Sequence, residues 1–250
     1  MKKIVRILNF FGFSARKFLS IRHIFRYLSD LRAFRKLGGT TSHHRPMLTD
    51  FSASAGSTLG HYFTQDLHVA TLIHRANPDD HVDIGSRIDG FVAHVASFRT
   101  IKVLDIRPLA LGSTSRIVFL QHDLMSSTSL PQSDSVSCLH TIEHFGLGRY
   151  NDPLDPNGHI KGIKNIIRLV KPNGKLYISF PIGNNNEVHF NAHRVFKPTD
   201  ILEWGPTKES LSLERFDYID DDGKLITNAQ PSSVENTIKF GCGMYVFRKI

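Results

Sequence analysis

The chain has 250 residues, 40% of them apolar, two cysteines and a formal net charge of +8. That length suits one α/β domain with an appendage, and the apolar content excludes a disordered or fibrous chain. Cys138 and Cys242 are far apart and lack metal-ligand spacing, so a reduced, cytoplasmic setting is the default.

The charge is concentrated at the start. In residues 1–36, Lys2, Lys3, Arg6, Arg16, Lys17, Arg22, Arg26, Arg32, Arg35 and Lys36 face a single acid, Asp30, for a local charge of +9. The remaining 21 basic and 22 acidic residues leave −1. Phe18, Ile21, Phe25 and Leu28, with Ile24, Leu31 and Phe34 beside them, recur at helical spacing. Residues 1–39 are therefore expected to form a basic amphipathic helical extension that ends at Gly38-Gly39. Such a helix either lies in an anionic membrane surface, here the inner face of the cell membrane, or packs on the domain or a partner. No uninterrupted apolar run approaches the length of a spanning helix. The start lacks the pattern of a signal peptide, although a basic, acid-poor start also fits a transit peptide. Nucleic acid is a poor candidate partner, because no reading motif accompanies the charge.

Residues 40–57, small and polar, read as a linker, and residues 58–250 as the main domain. A helix is expected over Leu59–Arg75, with Leu59, Phe63, Leu67, Ala70 and Ile73 on one face and "NPDD" as its stop. Short β-branched runs then alternate with helical patterns, which predicts a largely parallel sheet. The strands are placed at His81–Ile84, Ile101–Ile106, Ile117–Leu120, Ser135–Leu139 and Lys175–Phe180. Phe91, Val95 and Phe98 mark the helix after the first strand. Ile160, Ile163, Ile167 and Val170 mark the one before the fifth, where "KPNG" reads as a turn. The tail reads as paired antiparallel strands closing the sheet.

In open parallel sheets, ligands bind beyond the carboxyl ends of the strands. Those ends carry "VDIGSR", "LDIRP", "QHDLM" and "LHTIEHFG". Gly85 lets a ligand approach the turn backbone, and Asp105, twenty residues on, is placed to accept from two ribose hydroxyls. Asp123 could accept from an exocyclic adenine amine.

The order and spacing of these segments resemble the class I S-adenosylmethionine-dependent methyltransferases. "VDIGSRIDG" stands for the first motif, "VLDIRP" for the acidic second and "FLQHDL" for the third. "LPQSDSVSCLHTIEH" and "LVKPNGKLYISFP" resemble the family's fourth and fifth strand segments. More narrowly, "HVDIGSRIDGFVAHV", "IEHFGLGRYNDPLDPNG" and "FNAHRVF" resemble a methyltransferase-like family of unassigned function whose members often accompany bacterial surface-polysaccharide genes. The resemblance implies an α/β, Rossmann-like, mostly parallel seven-stranded sheet with flanking helices. It also implies S-adenosyl-L-methionine as cofactor, held by Asp83, Gly85, Ser86, Arg87, Asp105, Ile106, Asp123, Leu124 and His140. Methyl transfer would then go to a small-molecule or glycan acceptor.

Arg87 departs from the pattern, standing where the loop usually has its second glycine. Such a cation either points away, pairs with the ligand carboxylate or marks a domain without catalysis. Candidate bases are Glu143, His144, His140 and His193, with His189 beside them; histidine titrates near neutral pH. Arg149, Tyr150 and Asp152 on the loop Gly146–Gly158 could recognise a polar acceptor, and Arg194 an anionic one, or each could serve its loop or surface alone. His140, Glu143 and His144 with His193 also resemble the metal set of small-RNA 2′-O-methyltransferases, departing at His140, and the reading adopted carries no metal. Two alternatives stay open: a non-catalytic binding or scaffold domain, and an enzyme of another nucleotide cofactor. The second lacks a full G-x-G-x-x-G.

Overall fold

A computed structural model describes residues 15–58, 60–110, 112, 116–126 and 130–250. Residues 1–14, with Lys2, Lys3 and Arg6 of the basic segment, and Leu59 of the expected helix face lie outside the described residues. The chain divides into two compact units, Met1–Thr58 and Leu59–Ile250.

In the first unit, helices Ala15–Ser20 and Ile24–Lys36 are joined by a tight turn at Ile21–His23. No residue of Ile24–Lys36 is buried, and Phe18 and Phe25 are more than three-quarters exposed. The segment expected as a linker folds back on this helix. His44 meets the Tyr27 hydroxyl at 3.1 Å and the Arg35 guanidinium at 3.3 Å, and the Arg26 guanidinium lies 4.6 Å from the Phe51 ring. No helix among the described residues is long and apolar enough to cross a membrane.

In the second unit, β1 (Val82–Ile84), β2 (Ile101–Asp105), β3 (Ile117–Gln121), β4 (Ser133–Leu139) and β5 (Val170–Ile182) are parallel neighbours. A small hairpin, β6 (Glu187–His189) and β7 (His193–Val195), follows. The chain then adds β8 (Leu211–Ile219), β9 (Leu225–Ile226) and β10 (Gly241–Lys249). The sheet order is β3-β2-β1-β4-β5-β10-β8-β9, with β10 inserted antiparallel between β5 and β8. The eighth strand is the two-residue β9, the return of a tight turn at Asp220–Lys224 that sequence patterning did not separate from β8.

Apolar periodicity explains both layers. Ile163, Ile166 and Ile167 of helix Gly158–Leu169 pack with Ile178, Phe180, Phe216 and Tyr245 in one core cluster. Val69, Ala70 and Ile73 of helix His61–Ala76 pack with Phe91, Val92 and Val95 in the other. Each such Val, Ile or Phe side chain contributes about 1.5–3 kcal/mol by leaving water.

Two expectations are corrected here. The helix His61–Ala76 does not bury the stripe of Phe63 and Leu67, which are 44% and 41% exposed. It is rotated so that Gln65 and Asp66 face inward, because each finds polar partners there: Ser179 donates to Gln65 Oε1 at 2.6 Å, and Asp66 accepts from the Phe91 amide. Nor does "KPNG" break the chain before β5, which runs through it. Asn173 takes a left-handed φ of 61° where the register against β4 shifts, so the segment is a bulge.

Candidate functional site

The carboxyl ends of β1, β2, β3 and β4 surround one cleft. Its floor is the turn after β1, where Gly85 has φ +69° and an added Cβ would lie 2.4 Å from Thr141 Cγ2. Only glycine adopts that backbone readily and leaves room for the strand opposite. Beneath the turn, Asp83 is fully buried and accepts from the Ser86 amide at 3.0 Å, Ser86 Oγ at 2.8 Å and Ser137 Oγ at 2.5 Å. Its carboxylate thus braces the turn from inside the sheet, and neither Asp83 nor Ser86 lines this first cleft.

Asp105 and Ile106 at the end of β2, and Asp123 and Leu124 after β3, form the opposite wall. Asp123 holds its own turn by accepting from the Met125 amide at 2.8 Å. Asn165 Nδ2 anchors that turn from behind, donating to the Leu124 and Ser126 carbonyls at 2.8 Å each. Asp105 is engaged by Arg107, whose amide and Nε donate to Oδ1 at 2.8 and 2.9 Å and whose Nη2 donates to Oδ2 at 2.5 Å. The same guanidinium lies 4.6 Å from the Tyr150 ring, and Arg149 lies 5.2 Å from it. Arg107 is a cleft residue that sequence reasoning missed; its signal was the cation two residues after the acidic position.

Arg87 points away from the cleft floor. It is exposed and pairs with Asp89 through Nε at 3.0 Å and Nη2 at 2.8 Å. It borders an adjoining cleft lined by Ser86, Tyr62, Gln65, Arg149 and Tyr150.

The third wall begins at His140, a non-glycine residue with φ 47° whose amide donates to the Ser179 carbonyl and hydroxyl. His140 Nδ1 lies 2.9 Å from Glu143 Oε1, and both groups are buried. Burial opposes charge on this imidazole, but the neighbouring Cys242 and Glu143 raise its pKa well above the ordinary value. His144 also lines the cleft; its Nδ1 donates to the Ala192 carbonyl at 2.6 Å, and its Nε2 lies 3.8 Å from Glu143 Oε1. Burial lowers the His144 pKa, with Arg149 adding to the effect and Glu143 opposing it.

The remaining candidates lie outside the cleft or, like Asp152 on its lining, are engaged by backbone. His193 sits on β7 beside His189 and is not part of the lining, and His189 is half-exposed against Glu187. Asp152 accepts from the Gly146, Gly148 and Tyr150 amides, so it shapes its own loop. Arg194 is 4% exposed and donates to backbone carbonyls of that loop, which overturns an acceptor-binding or surface role. Nor do His140, Glu143, His144 and His193 gather as metal ligands. Among the described residues, the one group of three with ligand atoms close enough for an ion is His61, His140 and Cys242.

Residues 115–219 match the model of a family described as "Caenorhabditis protein of unknown function, DUF268". A comparison with curated proteins gives no match. Among solved structures, the chain is similar to the [4+2]-cyclase SpnF, with 12% identity, coverage of 78% of this chain and 85% of that one, and a TM-score of 0.56. It is also similar to a candidate sarcosine dimethylglycine methyltransferase from Galdieria sulphuraria, at 13% identity, 74% and 85% coverage and a TM-score of 0.52. The N-methyltransferase NodS from Bradyrhizobium japonicum WM9, in complex with S-adenosyl-L-homocysteine, gives 12% identity, 75% and 87% coverage and a TM-score of 0.49. The fold is the Rossmann-like fold of the class I methyltransferases.

Proposed function

We propose that the chain is an S-adenosyl-L-methionine-dependent methyltransferase acting on a small-molecule or glycan acceptor, in keeping with a role in surface-polysaccharide synthesis. The observation that carries this reading is the convergence of the Gly85 turn, Asp105, Asp123 and the His140–His144 edge around one cleft. The cleft fits the cofactor by its donor set: the Gly85 turn lining it for the amino-acid end, Asp105 for the ribose, and Asp123 beside Ile106 and Leu124 for the adenine. The bound cofactor supplies an electrophilic methyl group. The protein's part is to hold the acceptor in line and take its proton. His144 is suited to that task, because burial keeps it neutral and Ala192 holds its Nδ1 proton, leaving the Nε2 lone pair free. Glu143 orients His140 through the 2.9 Å contact with its Nδ1, and the Ala192 carbonyl orients His144.

Calorimetric titration with S-adenosylmethionine and S-adenosylhomocysteine tests the reading. Asp105→Ala is expected to weaken binding about 10- to 100-fold, the cost of hydrogen bonds to a charged acceptor. Arg107→Ala releases the carboxylate and is expected to tighten binding about two- to fivefold, the scale of a partly exposed ion pair. No binding by folded protein at millimolar ligand would overturn the proposal. The Arg107–Asp105 pair also favours a second reading, a binding or scaffold domain without turnover. Binding that persists while no acceptor is methylated would favour it.

The first unit supports a peripheral contact with the inner face of an anionic membrane. Exposed Phe18, Ile21, Phe25 and Leu37 stand among Arg22, Arg26, Arg32 and Lys36 in a short helical stretch. Each basic residue near such a surface contributes about 1 kcal/mol at low salt. The full chain is expected to co-sediment with anionic liposomes and to be released at high salt, and a chain lacking residues 1–39 to stay in solution. Equal behaviour of the two assigns this helix to protein packing.

A further inference from the structure

We propose that His61, His140 and Cys242 form a binding site for a divalent transition-metal ion of the zinc class, with Glu143 as the positioning residue for His140. Three separate elements deliver the ligands: His61 opens the helix His61–Ala76, His140 follows β4, and Cys242 is the second residue of β10. One nitrogen or sulfur from each lies within 4.8 Å of the other two. Tetrahedral zinc with Zn–N of about 2.0 Å and Zn–S of about 2.3 Å needs ligand atoms about 3.3–3.7 Å apart. The set must therefore close by about 1 Å, a movement the half-buried His61 ring can supply at the helix start.

The second observation is the state of His140. Its Nδ1 is committed to Glu143, while its Nε2 is buried with no partner at hydrogen-bond geometry and the Cys242 thiol as its neighbour, and the side chain is only 5% exposed. An imidazole fixed by a carboxylate on one nitrogen and open on the other is the arrangement of a metal-ligating histidine, whose carboxylate sets tautomer and basicity. An unpaired buried nitrogen otherwise costs stability, and an ion removes that cost.

Cys242 completes a set of two imidazoles and one sulfur, which suits zinc or cobalt and not magnesium or calcium. Its thiol donates to Gln65 Oε1 at 3.3 Å, and metal binding would release that proton to solvent. Tyr62 and Phe240 wall the set, with ring centroids 4.9 Å from His140 and 5.6 Å from His61. Three protein ligands leave a fourth position for an exogenous oxygen. Tyr62, Gln65 and His140 also border the adjoining cleft, so the site lies beside it. The proposal stands whether or not the cofactor reading holds, since metal binding is measured without cofactor.

The test uses the untagged full chain, stripped with chelator and titrated with Co²⁺ and then Zn²⁺. One equivalent of Co²⁺ is expected to give a thiolate-to-cobalt charge-transfer band, which Zn²⁺ then bleaches. Cys242→Ser should abolish the band and Cys138→Ser should leave it. His61→Ala, at a half-buried position, should lose stoichiometric binding while the apo chain stays folded. Glu143→Gln should weaken binding about 10- to 100-fold, the usual effect of removing a ligand's supporting carboxylate. A folded wild-type chain that shows no band, or a band that survives Cys242→Ser, overturns the site.

Discussion

Arg194→Ala is expected to lower the thermal midpoint by about 6–12 °C, corresponding to about 3 kcal/mol for a chain of this size. The guanidinium, carried by β7, is buried and donates to the carbonyls of Phe145 at 2.6 Å, Pro156 at 3.1 Å, and Glu143 and Asp155 at 3.4 Å each. Both ends of the loop after the His140–His144 edge are therefore tied to one side chain. Burial lowers its pKa, while Asp152 and Asp155 oppose that effect. Truncation removes the guanidinium donors of the Phe145 and Pro156 carbonyls, while Asp155 keeps the Gly158 amide, and buried acceptors without partners are costly. Arg194→Lys should recover only part of the loss, since a lysine's point charge cannot span from Phe145 to Pro156 as the planar fork does. Differential scanning calorimetry reads the midpoint, and tryptic cleavage after Arg149 should accelerate in the alanine variant. Unchanged melting and unchanged cleavage would show that the loop holds itself through Asp152.

How far the sequence disclosed this molecule depends on whether a feature is local. Strands β1, β2 and β4 and the antiparallel tail were legible because apolar runs and turn residues are contiguous in the chain. The positions of Gly85, Asp105 and Asp123 at strand ends followed from the same reading, since a parallel sheet brings those ends together. What the sequence hid is tertiary. Gln65 and Asp66 look like a polar helix face until Ser179 and the Phe91 amide are seen to satisfy them. Arg194 looks like a surface cation until four carbonyls from a distant loop surround it. His61 and Cys242 are 181 residues apart, and no spacing rule joins them to His140. Arg87, conspicuous in the sequence, is an exposed partner of Asp89, while the cation that does meet the cleft carboxylate is Arg107.

His81→Gln and Asp83→Asn are expected to tilt the dependence of stability on pH in opposite directions. A directional chain of hydrogen bonds runs beneath the Gly85 turn. Ser137 Oγ donates its proton to Asp83, so it must accept from His81 Nε2 at 3.1 Å, and His81 Nδ1 then accepts from Ser135 Oγ at 2.8 Å. Burial, with Arg99 adding, lowers the His81 pKa to about 3 against the opposing Asp80. Burial also raises the Asp83 pKa to about 6, despite its bonds from Ser137 and Ser86. A histidine with a lowered folded pKa contributes stability that is present above its unfolded value and lost as pH falls from about 6.5 towards 3. A carboxyl with a raised folded pKa acts the other way, its contribution being present below about 4 and lost as pH rises through about 6. Between pH 4 and 6 the unfolded chain holds its proton on His81 and the folded chain holds one on Asp83, so in the wild type the two slopes cancel. Asp83→Asn uncovers the histidine term, and stability should rise by about 1.4 kcal/mol per pH unit across that window relative to wild type. His81→Gln uncovers the carboxyl term, with a slope of about the same size and opposite sign. Urea unfolding at half-unit steps from pH 4 to 6.5 reads both, and groups common to all three proteins drop out of the differences. Parallel profiles for the two variants would mean that His81 and Asp83 do not hold opposite protonation states under the turn.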